Sequence, residues 1–347
     1  MNPMVRTLLH GMILFGLLCA LGSTPARAAF EKSIAICKAP TPNQRLTLTL
    51  VTKRIGLKYD PAHCEALYSK LSQLDKIGLL AQPYESPDLT PLAELTQIKQ
   101  ISLQGADVID IAPLHNMVGL AVFGFGSKSL KNPDTLRRFT GLKKLEIADS
   151  DFAKLGPIES LTELEQLDLS HNNISDIRPL ENLKKLVHLR LARNQITDIA
   201  ALRALHHLEQ LDLFANQISD LAPLAQLTRL KNVNVEKNRV RDLTPLAKLT
   251  AIEILDISRN QIDDLTPLKS LTQLRNLKFS NNKVRDITPL VGLNTLLSIN
   301  MASNRVERIM PLAVLPKLHD LFVFDNPLRD CPSAEVTWME SGEMRCK

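Results

Sequence analysis

The chain has 347 residues, with 42 Lys and Arg against 37 Asp and Glu, a formal net charge of +5, and only 4% aromatic residues. So even a balance excludes the concentrated positive field of a nucleic-acid binder. The cysteines and histidines nowhere fall at the close spacing that a zinc site or a thiol catalyst requires.

In chain order, Arg6 precedes an apolar run from Met12 to Leu21, and Ala26-Arg27-Ala28 is a small-x-small cleavage site. This predicts a secretory signal peptide over residues 1–28, cut after Ala28. The competing reading is an uncleaved anchor. It needs about 20 apolar residues, more than this run supplies. Leu18 is too large for the position before a lipid-bearing Cys19. No later segment is apolar enough to cross a membrane. Residues 1–28 carry two arginines and no carboxylate, so their removal lowers the net charge from +5 to +3. The mature chain is expected in the periplasm or outside the cell.

Residues 29–94 form an N-terminal cap with a partial first repeat. Arg45–Leu57 alternates like a strand at Leu46, Leu48 and Leu50, yet a short helix also fits. Asp60-Pro61 predicts a helix start and Gly78 its stop, with Leu67, Leu71 and Leu74 on one face. That helix is expected to cover the open first strand of the repeats.

From Leu161 the sequence repeats every 22 residues, most clearly in LTAIEILDISRNQIDDLTPLKS from Leu249. With Leu161 as position 1, apolar residues occupy positions 1, 4, 7, 9, 14, 17 and 20: Leu161, Leu164, Leu167, Leu169, Ile174, Ile177 and Leu180. Position 12 is Asn172, Asn194, Asn216, Asn238, Asn260, Asn282, Asn304 and Asn326. Alternation around positions 7 and 9 predicts one short strand per unit, paired in parallel with its neighbours. The asparagines form a structural ladder that satisfies buried backbone groups where the chain leaves each strand. Position 16 is Asp176, Asp198, Asp220, Asp242, Asp264 and Asp286, followed by Pro at position 19 in most units. Such an Asp caps a tight helical turn. Calcium is the rival reading, but the clustered oxygen loop of known calcium motifs is missing.

Stepping back in 22s preserves the apolar pattern at Phe139, Met117 and Leu95, with Ser150, Lys128 and Ala106 in the asparagine slot. The solenoid is thus expected to start near residue 73, and residues 95–326 are its full repeats. Divergent first units either cap the core or use Gly105, Gly124 and Gly126 as bare sheet that a partner approaches closely. Asn326-Pro327 opens a C-terminal cap over 327–347. Cys37 and Cys64 precede the repeats, and Cys331 and Cys346 follow them. Of the three pairings that four cysteines allow, only Cys37–Cys64 with Cys331–Cys346 avoids joining the two ends of a long molecule. Oxidised cysteines agree with export.

The spacing L-x-x-L-x-L-x-x-N-x-L resembles the leucine-rich-repeat family. Units of 22 residues ending in D-I-x-P-L are similar to those of bacterial internalins and of a protein-phosphatase regulatory subunit. The resemblance implies an α/β repeat solenoid: a right-handed arc with a parallel sheet on the concave face and short turns or 3-10 segments on the convex face. It also implies a protein partner held on the concave sheet. Unlike internalins, the chain shows no immunoglobulin-like domain after the repeats and no wall-sorting signal.

On such a fold, positions 6, 8, 10, 11 and 13 face the concave side. Candidate contacts there are Asp168, Arg190, Arg193, Asp212, Phe214, Asn234, Glu236, Asp256 and Lys278. Alternating charge is ordinary for a solvated sheet. Phe214 is harder to dismiss, because aromatic and arginine side chains dominate binding hot spots. It groups with Arg190 and Arg193. Phe322 and Phe324 either contact a partner or pack under the C-terminal cap. No nucleophile–base pair, metal cluster or phosphate loop is visible, so neither enzyme chemistry nor a cofactor is expected. His206-His207 reads as a solvated corner. The expectation is a monomeric, exported, non-catalytic protein-recognition module; the alternative is a carbohydrate or cell-envelope binder.

Overall fold

The computed structural model describes residues 25–330 and two short strands, Val336–Trp338 and Met344–Cys346. Side chains are described for 27–330. Residues 1–24 of the expected signal segment, and the expected Cys331–Cys346 pairing, lie outside the described residues. No helix among those described is long and apolar enough to cross a membrane.

Three helices open the fold: α1 (Pro25–Lys38), α2 (Pro42–Arg54) and α3 (Cys64–Leu71). Helix α1 runs through the expected cleavage position, so a chain cut after Ala28 keeps the rest of it. The ambiguous Arg45–Leu57 segment is largely α2. Thr41 and Gln44 form a reciprocal capping box at its start, with Pro42 in the first turn. That local signal outweighs the strand-like alternation of its leucines. Asp60-Pro61 opens a 3-10 turn that leads into α3, and the Asp60 carboxylate accepts the Ala62 N–H at 2.9 Å. The expected stop at Gly78 is wrong. Helix α3 ends at Leu71, and Gly78 lies inside the first strand. The expected cover of that strand is also corrected: α2 packs on it, while α3 packs on α1. A Cys37–Cys64 disulfide ties α1 to α3, and the Tyr68 hydroxyl donates to the Pro91 carbonyl at 2.6 Å.

Twelve parallel strands make one sheet. The first are β1 (Lys76–Leu80), β2 (Gln100–Gln104), β4 (Val122–Gly126) and β6 (Lys144–Ile147). Eight three-residue strands complete it: β7 (Gln166–Asp168), β8 (His188–Arg190), β9 (Gln210–Asp212), β10 (Asn232–Asn234), β11 (Ile254–Asp256), β12 (Asn276–Lys278), β13 (Ser298–Asn300) and β14 (Asp320–Phe322). From β2 onward partners stand 22 residues apart, as Leu167 with Leu189 and Leu189 with Leu211. The first step departs from this: Ile77 pairs with Ile101 and Leu79 with Leu103. That spacing of 24 places the first strand two residues earlier than a strict repeat. The convex turn Thr90–Leu92 remains in register with Ala112–Leu114. The two extra residues therefore fall in the loop between β1 and that turn, where Tyr84 stands 81% exposed.

The apolar positions make one continuous spine. Leu161, Leu164, Leu167, Leu169, Ile174, Ile177 and Leu180 are all buried, and the pattern recurs coil by coil. Convex 3-10 turns cross over the outside. In the six units from Leu161 onward with Asp at position 16, that carboxylate accepts the N–H two residues on at 2.7–2.9 Å, and Asp88 and Asp110 do the same at 2.8 Å in the earlier units. The row is a capping device, as expected.

Each ladder asparagine acts identically. The Asn194 carbonyl oxygen accepts the Ile174 N–H of the preceding coil at 3.0 Å. Its amide donates back to the carbonyls of Leu169 at 2.9 Å and Leu191 at 3.0 Å. The two units with Ala106 and Lys128 in this slot use another solution. There β3 (Val108–Asp110) and β5 (Ser129–Lys131) pair directly, so backbone bonds replace the missing amides. Gly105 has φ +88°, and a Cβ there would lie 2.0 Å from the Ala81 carbonyl oxygen. Its reason is local packing. Gly124 and Gly126 have no such constraint: added Cβ atoms would meet only ordinary contacts at 3.6 Å or more.

Candidate functional site

The concave face is built by strand positions 6, 8 and 10. Alternate positions 7 and 9 are locked in the spine, so these three rows point outward. Position 8 has a structural duty that its sequence did not reveal. The first carboxylate or amide oxygens of Asp168, Asp212, Asn234 and Asp256 each accept the N–H two residues on at 3.0 Å. These are Asx turns, which terminate the strand. The second carboxylate oxygen of the aspartates, and the amide nitrogen of Asn234, are left for the concave space. At Asp168 that oxygen meets Arg190 Nη1 at 3.5 Å, and at Asp256 it meets Lys278 Nζ at 3.7 Å. Glu236 meets Arg259 at 3.4 Å. Such solvent-facing pairs contribute less than about 1 kcal/mol each, so they mainly orient side chains.

Asp212 differs: among the described residues no cation comes within ion-pair distance of it. Burial pushes its carboxyl above the usual range; the Phe214 N–H and Arg190 oppose this, and Asp168 and Asp256 add to it. Burial also raises Glu236, with Asp256 contributing. Asp212 lines a shallow depression of about 220 Å³ with Asn234, Asp256, His188 and Ile254. Ile254 is 44% exposed, and sequence reasoning missed it. The signal was present: in units 161–326 position 6 is otherwise polar, as at Gln166, His188, Gln210, Asn232 and Asn276.

Position 11 also proved special. Asp149, His171, Arg193, Ala215, Lys237, Arg259, Asn281, Ser303 and Asp325 all adopt left-handed backbone, with φ between 53° and 57°. The chain turns there from the concave face to the rim, without a glycine in any of these nine coils. At this turn the Arg193 guanidinium stands 5.2 Å from the centroid of the Phe214 ring. The structure thus unites Phe214 with Arg193, while Arg190 is drawn toward Asp168. Asn234, Glu236, Asp256 and Lys278 extend the same face. Phe322 and Phe324 are 45% and 55% exposed. His206 and His207 are exposed, as expected of a corner. Among the described residues no three His, Cys, Asp or Glu side chains gather as a metal ion would need.

An open parallel sheet inside, 3-10 turns outside and an asparagine ladder between them define a right-handed leucine-rich-repeat solenoid. A model described as leucine-rich repeats (two copies) matches residues 162–204, 184–226, 206–248, 228–270 and 250–292. An internalin C2 of Listeria monocytogenes is 34% identical, over 56% of this chain and 84% of that one, with a TM-score of 0.52. An internalin of the same organism, inlF, is 28% identical over 76% of this chain and 84% of that one, with a TM-score of 0.66. A leucine-rich-repeat protein of Leptospira interrogans shares the fold at 20% identity, 76% and 75% coverage and a TM-score of 0.63. No curated protein sequence matches. The chain belongs to the leucine-rich-repeat family, and its repeats are of the internalin type.

Proposed function

We propose that the protein is an exported, monomeric, non-catalytic recognition module that holds a protein partner on its concave sheet. One observation carries this reading. Two large apolar side chains, Phe214 and Ile254, stand in the central part of a stiff, mostly polar sheet: Phe214 two residues beyond Asp212 in the same coil, and Ile254 two strands further on. Buried aromatic and arginine anchors supply most of the energy of protein interfaces. A sheet pinned by its spine and ladder changes shape little on binding, so the ordering cost is low. The likeness to internalins and the N-terminal apolar run with its Ala-x-Ala site support export. The contact set is Asp168, Arg190, Arg193, Asp212, Phe214, Asn234, Glu236, Asp256 and Lys278, now with Ile254.

Crosslinking of the exported protein in its native setting, followed by affinity measurement on the captured partner, tests this. Phe214→Ala is expected to weaken binding by about thirtyfold, the effect of an ordinary hot spot near 2 kcal/mol. Arg190→Glu is expected to weaken it as well. Equal capture of the same partner by both variants and the wild type would defeat the reading.

A further inference from the structure

A second surface runs along the rim, one residue beyond the asparagine ladder. From Asn173 to Arg305, position 13 is exposed or half-exposed between a ladder asparagine that is buried or half-buried and a buried apolar residue at position 14. Its backbone is pinned: the N–H of Gln195, Gln217, Arg239, Gln261, Lys283 and Arg305 each donates to the position-14 carbonyl of the preceding coil at 2.8–2.9 Å. The side chains therefore stack in a straight file, with a step of about 4.8 Å. The file begins with amides, Asn173, Gln195 and Gln217, and Gln261 continues them among three cations, Arg239, Lys283 and Arg305. Gln195 bonds Asn173 at 3.4 Å and Arg239 bonds Gln217 at 2.9 Å.

Carboxylates border the cationic half, but they are engaged. Asp263 pairs with Arg241 and Glu307 with Arg329. Asp242, Asp264 and Asp286 cap their own turns. Among the described residues no ion pair forms at Arg239, Lys283 or Arg305. The file holds no aromatic or aliphatic side chain, whereas the core of a protein interface needs them. Amides recognise hydroxyl groups as donor and acceptor at once, and cations spaced one and two coils apart along a fixed line recognise anions carried on a linear chain.

We propose that this rim file binds a linear polysaccharide bearing sulfate or carboxylate groups, laid along the solenoid axis. The site is separate from the concave patch and does not depend on it. The test uses a heparin octasaccharide as probe, a neutral maltooligosaccharide of equal length and a polyglutamate peptide as comparators, and calorimetry at two salt concentrations. The wild type is expected to bind the heparin octasaccharide above both comparators. R239Q/K283Q/R305Q is expected to lose at least tenfold in affinity and most of the salt dependence. Gln261→Ala is expected to lose severalfold. Phe214→Ala and a convex-side control, K184Q/R203Q/K269Q, are expected to bind unchanged. Undiminished binding by the rim triple variant overturns the proposal. So does an equal loss in the convex control, or polyglutamate binding as tightly as the glycan, which would make the surface a generic anion binder. Circular dichroism of each variant excludes misfolding as the cause of a loss.

Discussion

Replacing Asn216 by Ala removes one rung of the ladder without touching the spine. Asn216 is 9% exposed. Its oxygen is the acceptor for the Ile196 N–H at 3.0 Å, and no other acceptor reaches that group. Its amide donates to Leu191 at 2.9 Å and Leu213 at 3.1 Å. Those two carbonyls keep Asn194 and Asn238 as partners, so only the Ile196 N–H is orphaned. An orphaned buried donor costs about 1–3 kcal/mol, and two lost bonds add about 1 kcal/mol each. The expected loss is therefore about 3–5 kcal/mol in equilibrium urea unfolding. Because each coil contacts only its neighbours, the damage is local. Amide exchange should accelerate at Ile196 and in the coils on either side, while Leu277 and Ile299 keep their protection. A loss below about 1 kcal/mol together with a protected Ile196 amide would refute the ladder's role.

The glycines provide a matched contrast. Gly105→Ala forces a side chain into left-handed backbone and against the Ala81 carbonyl, so it should destabilise by more than about 2 kcal/mol. Gly124→Ala meets only ordinary van der Waals contacts, from 3.6 Å, outside the left-handed region, so thermal unfolding should show it neutral or stabilised by up to about 1 kcal/mol. Asp212 predicts a pH effect of defined sign. Its carboxyl is raised in the folded state, so the folded chain binds the proton more tightly than the unfolded chain. The penalty is full above the folded value and vanishes as pH falls through it toward the unfolded value. Asp212→Asn should therefore stabilise the protein most at neutral pH, with the advantage shrinking on acidification. Unfolding free energies measured from pH 7 down to pH 4 check this; an advantage that grows on acidification would contradict the assignment.

Much of the molecule was legible because the buried positions recur. Leu167, Leu189 and Leu211 announce the strands, Asn194 and Asn216 the ladder, and Asp198 and Asp220 the capped turns. The N-terminal cap was less legible. The capping box at Thr41 and Gln44 was the readable sign of α2, yet the alternating leucines masked it. Gly78 imitates a helix stop because glycine is equally at home in a strand edge. At the candidate site, Phe214 stood out from sequence because aromatics are few in this chain and it falls on a position that faces solvent. Ile254 breaks the polar row at position 6 as plainly, but a lone aliphatic on a solvated strand is common and carries no signal by itself. The pairing of Arg193 with Phe214 was not separable from that of Arg190, since three residues on adjacent coils offer several arrangements of similar spacing.

The chain alone determined the period, the identity of the buried file and the direction of each strand. These come from side-chain hydrophobicity and spacing, which are properties of each coil by itself. Only the tertiary structure decided the two-residue shift at the first strand, the β3–β5 substitute for missing asparagines and the left-handed turn at position 11. It also decided which carboxylates are neutralised across coils and kept Asp212 beyond ion-pair distance of every cation among the described residues. Those outcomes depend on what the neighbouring coil presents a few ångströms away, and no single repeat contains that information.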